Sequence, residues 1–223
     1  LILQKIKVMS KQFRRALLIP ATISVLIFST FILEKGMEWD FHKAGIYPHH
    51  PESLGGIIGI LFVHSDWSHL FNNLFSFALL SVCLFYFYHD IALKIFGLSI
   101  LLSGSMLWMI GRESWHIGAS GLIYAIATFL FVSGLIRKHV PLIAISLVVT
   151  FIYGSIVWHL FPWQVNDPVS WEGHLSGGIT GLVLSIIYRK FGPQKPELED
   201  DAEDCDIDYM NTENQESELD NNE

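Results

Sequence analysis

The long apolar runs of this chain contain no Asp, and the one Glu within them, Glu172, sits at an edge. Transporters that move ions along a polar path rely on intramembrane carboxylates, so that class is disfavoured. No His-Glu-x-x-His occurs, which removes the zinc-protease helix signature. Glu113 and His116 have a Glu-x-x-His spacing, but they fall in a connector where they are expected to lack partners. His64 and His69 are five apart and do not share a helix face. Neither a metal nor a cofactor is expected. Cysteine is scarce: Cys83 lies in an apolar run and Cys205 in the acidic C-terminal stretch, which excludes a disulfide between them. Charged residues reach only 16%, and no basic stripe is present to bind nucleic acid.

What the chain has instead is hydrocarbon. Hydrophobic residues make up 51% of it, and the mean hydropathy is +0.41. Six apolar runs cover residues 16–33, 69–88, 91–110, 119–136, 140–161 and 171–188. Crossing the bilayer core takes ~20 such residues in a helix. The first run follows Lys5, Lys7, Lys11, Arg14 and Arg15. It is longer than the ~7–15 apolar residues of a secretory signal, so it reads as a retained span. With the N-terminus in the cytoplasm and six alternating spans, eleven Lys and Arg fall on the cytoplasmic side and three (Lys35, Lys43, Arg112) on the external side. That asymmetry obeys the positive-inside rule. The expected architecture is an all-α membrane protein: a six-transmembrane-helix bundle with both termini cytoplasmic. Residues 1–15 form a basic N-terminal segment, 16–190 the membrane domain and 191–223 an acidic tail. Residues 196–223 carry thirteen of the 22 acidic residues and no Lys or Arg. Such a segment cannot bury a core and is expected to be disordered, with no partner evident.

Three of the runs begin with polar residues that an anchor does not need. Ser120 lies in Gly118-Ala119-Ser120-Gly121, at the start of the fourth run. Small neighbours let another backbone approach, and a helix start offers unpaired N–H groups to an anion. The plainer reading is a small-residue packing motif. His174 lies in Glu172-Gly173-His174-Leu175-Ser176-Gly177, beside a stripe of Gly173, Gly177 and Gly181 along which a neighbouring helix can pack. A serine hydroxyl becomes a nucleophile when a base takes its proton, and His174 can be that base if the two helices meet. On its own it reads equally as an interfacial histidine. His69 and Asn73, at i and i+4 on the second run, share a helix face and can donate hydrogen bonds. With the backbone N–H of Ser120 they could surround an oxyanion, although capping at a membrane edge would also explain them. In the six-span topology all three runs enter from outside, so His69, Ser120 and His174 share one depth.

Taken together, His-x-x-x-Asn at 69–73, Gly-x-Ser-Gly at 118–121 and His-x-x-Gly at 174–177 resemble the rhomboid intramembrane serine proteases across about residues 50–190. The chain is similar to the minimal six-span bacterial form, which implies a bacterial inner (plasma) membrane. The resemblance implies a Ser120–His174 dyad without an acidic third member. It also implies an oxyanion site of His69, Asn73 and the Ser120 N–H, supported by Gly118 and Gly121. Tyr124 matches the position whose ring packs on the catalytic histidine. Transmembrane protein substrates would be cut near the external face, within the lipid bilayer. The alternative is a non-catalytic scaffold that binds transmembrane segments. Many members carry Trp-Arg in the first loop; here Trp39 is followed by Asp40. The first loop includes an apolar stretch at 54–63 that is too short to cross and should lie in the interface. Aromatics at 158–163 suit an interfacial belt, and by resemblance a lateral gate.

Overall fold

The computed structural model describes residues 2–152 and 170–193. They form helices joined by turns and by one long first loop. The long ones are α1 (Ile2–Gly36), α3 (Trp67–Phe87), α4 (Ala92–Ile110), α5 (Ser120–Arg137), α6 (Val140–Ile152, at the edge of the described residues) and α7 (Trp171–Ile187). A single turn, α2 (Gly56–Gly59), lies in the first loop between short 3-10 turns. The basic N-terminal stretch is therefore the start of α1 from Ile2 onward, and Pro20 sits inside that helix without ending it.

Among the described residues, four helices are long and apolar enough to cross a membrane: 11–36 within α1, and α3, α4 and α5. The 17 residues of α7 lie at the lower end of the usual ~17–25 for a span. Their outward faces are apolar. Leu18, Val25, Leu93 and Met109 are each 63–65% exposed, a surface that water does not tolerate on this scale but lipid does. Several polar side chains on these helices satisfy themselves locally. Thr22, Thr30, Ser103, Ser146 and Ser176 each donate to the carbonyl four residues earlier, as lipid demands.

The core runs between α3, α4, α5 and α7, around Phe77, Leu80, Leu84, Ile126, Phe129, Leu130 and Leu184. The closest helix pair is α5 with α7. A Cβ on Gly177 would strike the Gly121 carbonyl, and one on Gly181 the Ala125 carbonyl. Glycine at these two positions is what allows backbone-to-backbone approach. α1 packs on α3 through Ile27, Phe31 and Leu70, with the Phe31 and Trp67 rings edge to face at 4.8 Å.

Loop contacts fix which ends lie together. At one end Lys35 Nζ donates to the Ser65 carbonyl (3.1 Å), joining the end of α1 to the start of α3. Gly118, before α5, abuts His69 on α3, and Gly173 on α7 abuts Gly121 on α5. At the other end Arg137 Nη2 donates to the Arg189 carbonyl (2.6 Å), joining the last turn of α5 to the residues after α7. Hence α3, α5 and α7 run in the same direction, with His69, Ser120 and His174 in their first turns. The 54–63 stretch does not span: it folds into α2 and the 3-10 turn Ile60–Phe62, with Leu61 and Val63 buried and Ile58 exposed. The aromatic belt, Cys205 and residues 194–223 of the acidic tail lie outside the described residues.

Candidate active site

Ser120 is the first residue of α5, preceded by Ala119, which is fully buried. The chain reaches it through Gly118, whose φ of +103° suits glycine. Gly118 N–H donates to the Ile60 carbonyl (2.9 Å), and a Cβ on it would lie 2.5 Å from His69 Nε2 and 3.4 Å from Asn73 Nδ2. The glycine thus lets the peptide leading into Ser120 settle against both side chains of α3. Asn73 is buried, and its Nδ2 has no hydrogen-bond partner among the described residues. An unpaired buried amide costs about 1–3 kcal/mol unless a partner meets it.

His69 is placed by the start of its helix. Asp66 caps α3, accepting from the His69 backbone N–H through Oδ1 (2.9 Å) and from Ser65 Oγ through Oδ2 (2.7 Å). These two hydrogen bonds hold the Asp66 carboxyl below its ordinary range, Ser65 contributing most. Ser65 Oγ also lies 3.1 Å from His69 Nδ1. With its own proton on Asp66, Ser65 can only accept there, so Nδ1 carries hydrogen. The other ring nitrogen, Nε2, faces Gly118 and becomes a donor when the ring is imidazolium. His64, in the loop just before, packs its ring edge to face on that of His69 at 4.9 Å. Burial, with His69 adding, pushes His64 down to about 3, so it stays neutral.

His174, buried in the first turn of α7, stacks flat on Tyr124: ring centroids 4.2 Å apart, planes 10° from parallel. Tyr124 is one turn beyond Ser120 on α5. A Cβ on Gly121 would meet the Gly173 carbonyl at 3.3 Å, so the backbones beside Ser120 and His174 abut. Ser120, Gly118, Gly121, Ser170 and Gly173 line a cavity of about 20 Å³, room for about one water.

Two contacts anchor the start of α7 that sequence reasoning did not find. Ser170 Oγ caps the helix, accepting from Gly173 N–H (3.2 Å), and lies 2.6 Å from His116 Nδ1. His116 Nε2 lies 3.0 Å from the Arg112 carbonyl, which can only accept. That fixes the hydrogen on Nε2, and Ser170 donates to Nδ1. His116 is therefore not without partners, contrary to expectation. It is buried, and burial holds its pKa below the ordinary value against the opposing pull of the Arg112 carbonyl. The buried Glu172 carboxylate pairs with Arg112 Nε at 3.6 Å. A Ser directly before an apolar run is a legible cap signal; the His116 partnership, 54 residues away, has none.

These helices, long and with apolar outward faces, define an integral membrane protein. A family profile described as the Rhomboid domain matches residues 51–191, more than half of the chain. The chain belongs to the rhomboid family. It is similar to uncharacterized proteins of Mycobacterium bovis and Mycobacterium tuberculosis, 34% identical over 152 residues that cover 64% of this chain and 62% of theirs. A Mycobacterium leprae protein, also uncharacterized, is 27% identical over 174 residues, 74% of this chain and 68% of its own. The chain thus spans less than two thirds of the length of the first two relatives.

Proposed function

We propose that this protein is an intramembrane serine endopeptidase that cleaves transmembrane segments near the external face of a bacterial inner membrane. Six spans with both termini cytoplasmic complete the arrangement, α6 and α7 being the fifth and sixth. The observation that carries the reading is the flat stack of His174 on Tyr124, one turn after Ser120, across the Gly121–Gly173 contact. It supports a base held beside a nucleophile.

In this reading Ser120 Oγ attacks the scissile carbonyl carbon while His174 takes the hydroxyl proton. The tetrahedral oxyanion accepts hydrogen bonds from the Ser120 backbone N–H and from Asn73 Nδ2, joined by His69 Nε2 when that nitrogen carries hydrogen. His174 returns the proton to the leaving amine as the C–N bond breaks. A water, which the cavity beside Ser120 can admit, then attacks the acyl ester, its proton passing through His174 to Ser120. Gly118 and Gly121 keep backbone close to the reacting atoms, and Tyr124 fixes the plane of His174. Substrate helices must unwind before attack, because their carbonyls are bonded internally in lipid.

The test is a fluorophosphonate label on purified protein, read together with cleavage of a transmembrane model substrate. Labelling at Ser120 that disappears in Ser120→Ala and His174→Ala, with loss of cleavage, is expected. Unaltered cleavage by Ser120→Ala would overturn the assignment, and substrate binding without cleavage by the unaltered protein would favour the scaffold reading.

A further inference from the structure

Just past the end of α1 the chain folds back on itself. Glu38 takes a left-handed backbone (φ +54°), and Trp39 N–H donates to the Glu34 carbonyl (3.0 Å). The return brings Asp40 and His42 over the Glu34 side chain. One ligand atom from each of Glu34, Asp40 and His42 lies within 4.8 Å of the others. Asp40 Oδ1 is 3.6 Å from His42 Nδ1.

Glu34 is the telling member. It is only 6% exposed, and its Oε2 is buried with no hydrogen-bond partner among the described residues. Its Oε1 receives one long bond, from Phe41 N–H at 3.4 Å. The neighbouring Lys35 does not compensate it there: its ammonium donates to Ser65 and sits over the Phe31 ring. A carboxylate taken out of water is costly unless a cation or donors meet it. Two side chains able to complete a coordination sphere already stand over it.

We propose that Glu34, Asp40 and His42 bind a divalent transition metal of the zinc class. Two carboxylate oxygens and one imidazole nitrogen form a borderline donor set. Calcium and magnesium prefer oxygen alone, whereas Zn²⁺ takes His with Asp or Glu readily. Three protein ligands leave a fourth tetrahedral position for water. Ligands ~2.0–2.2 Å from one ion sit roughly 3.3–3.5 Å apart, so the set must close by about 1 Å. Asp40 and His42 are exposed and can move that far. Bound metal fastens the end of α1 to the first loop, and that loop carries Ile46, which bridges His116. The site lies apart from Ser120 and His174 and stands whether or not they catalyse. It revises the expectation of no metal, which rested on linear motifs; the three ligands here come together through the turn at Glu38.

The test uses the full chain without an affinity tag, in detergent. Isothermal titration with Zn²⁺ should give one saturable equivalent, and Co²⁺ should give the visible bands of tetrahedral coordination. Supporting contacts around a metal alone are worth about 10–100-fold in affinity. Loss of a direct ligand in Glu34→Gln, Asp40→Asn or His42→Gln should therefore weaken binding by more than about tenfold and abolish the tetrahedral Co²⁺ spectrum. Asp40 and His42 are exposed, so their variants fold whatever Glu34→Gln does. The absence of a saturable equivalent in the unaltered chain overturns the proposal. So does binding that survives unchanged in the triple variant, because it would then belong to other histidines.

Discussion

Ser170→Ala tests whether loop contacts hold α7 in place. In the structure Ser170 Oγ accepts from Gly173 N–H at 3.2 Å and donates to His116 Nδ1 at 2.6 Å. The substitution removes both at once. Losing a serine cap costs about 0.5–2 kcal/mol. Leaving the buried His116 nitrogen unpaired costs about 1–3 kcal/mol more. Because both fall on one side chain, about 2–4 kcal/mol in total is a fair range. It should appear as several degrees of lost Tm in detergent, followed by tryptophan fluorescence. The same first turn carries His174, so kcat for a transmembrane substrate should fall more than KM rises. Ser170→Thr keeps an acceptor and a donor in place and should behave nearly as the unaltered protein. A Ser170→Ala protein with unchanged Tm and kcat would refute the reasoning, as would a threonine variant as damaged as the alanine one.

Other outcomes follow from the same geometry. The double variant of Ser120→Ala with His174→Ala should be little worse than either single one, because the pair acts as a unit; additive losses in single-turnover cleavage would contradict that. Asn73→Ala should slow cleavage by up to about 10²–10³-fold without abolishing it, the ordinary worth of one oxyanion donor; an unchanged rate would return Asn73 to a capping role. Gly177→Val should lower Tm sharply and separate α5 from α7, since a side chain there meets the Gly121 carbonyl; a fully active, equally stable variant would mean the helices do not approach as described. Acidification should destabilise the fold. His64 titrates near 3 when folded and near 6.5 when unfolded, so between these values the unfolded chain binds more protons and stability is lost as pH falls. The slope is roughly 1 kcal/mol per pH unit, with His116 adding in the same direction. Tm measured from pH 6.5 to 4.5 should show it, and a His64→Phe variant with an identical slope would assign the effect elsewhere.

Long apolar runs and the starts of helices were legible because each is a local signal. Residues 67–87, 92–110 and 120–137 match the apolar runs to within a few positions, and Gly173, Gly177 and Gly181 announced a close helix contact through their spacing alone. Ser120 and His174 could be paired on paper because both begin runs that enter from one side. What stayed hidden depends on chain reversal. Nothing in the order of residues joins His116 to Ser170, or folds Asp40 and His42 back over Glu34. Asp66 carried a readable signal, a cap before an apolar run, but its bond to Ser65 and its effect on His69 needed three dimensions. Many members of the family carry arginine where this chain has Asp40. In the fold it places a second carboxylate beside a buried one.

The first loop is better understood as a brace than as a connector. Ile46 exchanges both backbone hydrogen bonds with His116, Gly118 N–H donates to Ile60, and His49 N–H donates to the Trp108 carbonyl. Trp108 Nε1 returns a bond to the His50 carbonyl at 3.1 Å. Each joins the first loop to the end of α4 or to the stretch entering Ser120. In lipid, helices gain little hydrophobic drive toward one another, so their ends must be positioned by packing of small residues and by hydrogen bonds. Here glycines set the α5–α7 distance, while the first loop sets where Gly118, and so Ser120, sits against His69 and Asn73. Substitutions in this loop should therefore reach Ser120 without touching it. Gly45 is the sharpest case, because a side chain there would collide with the His116 carbonyl and open the bridge. Gly45→Val should reduce fluorophosphonate labelling of Ser120 while α3 and α5 stay helical by circular dichroism. Undiminished labelling would mean that the loop merely covers the site.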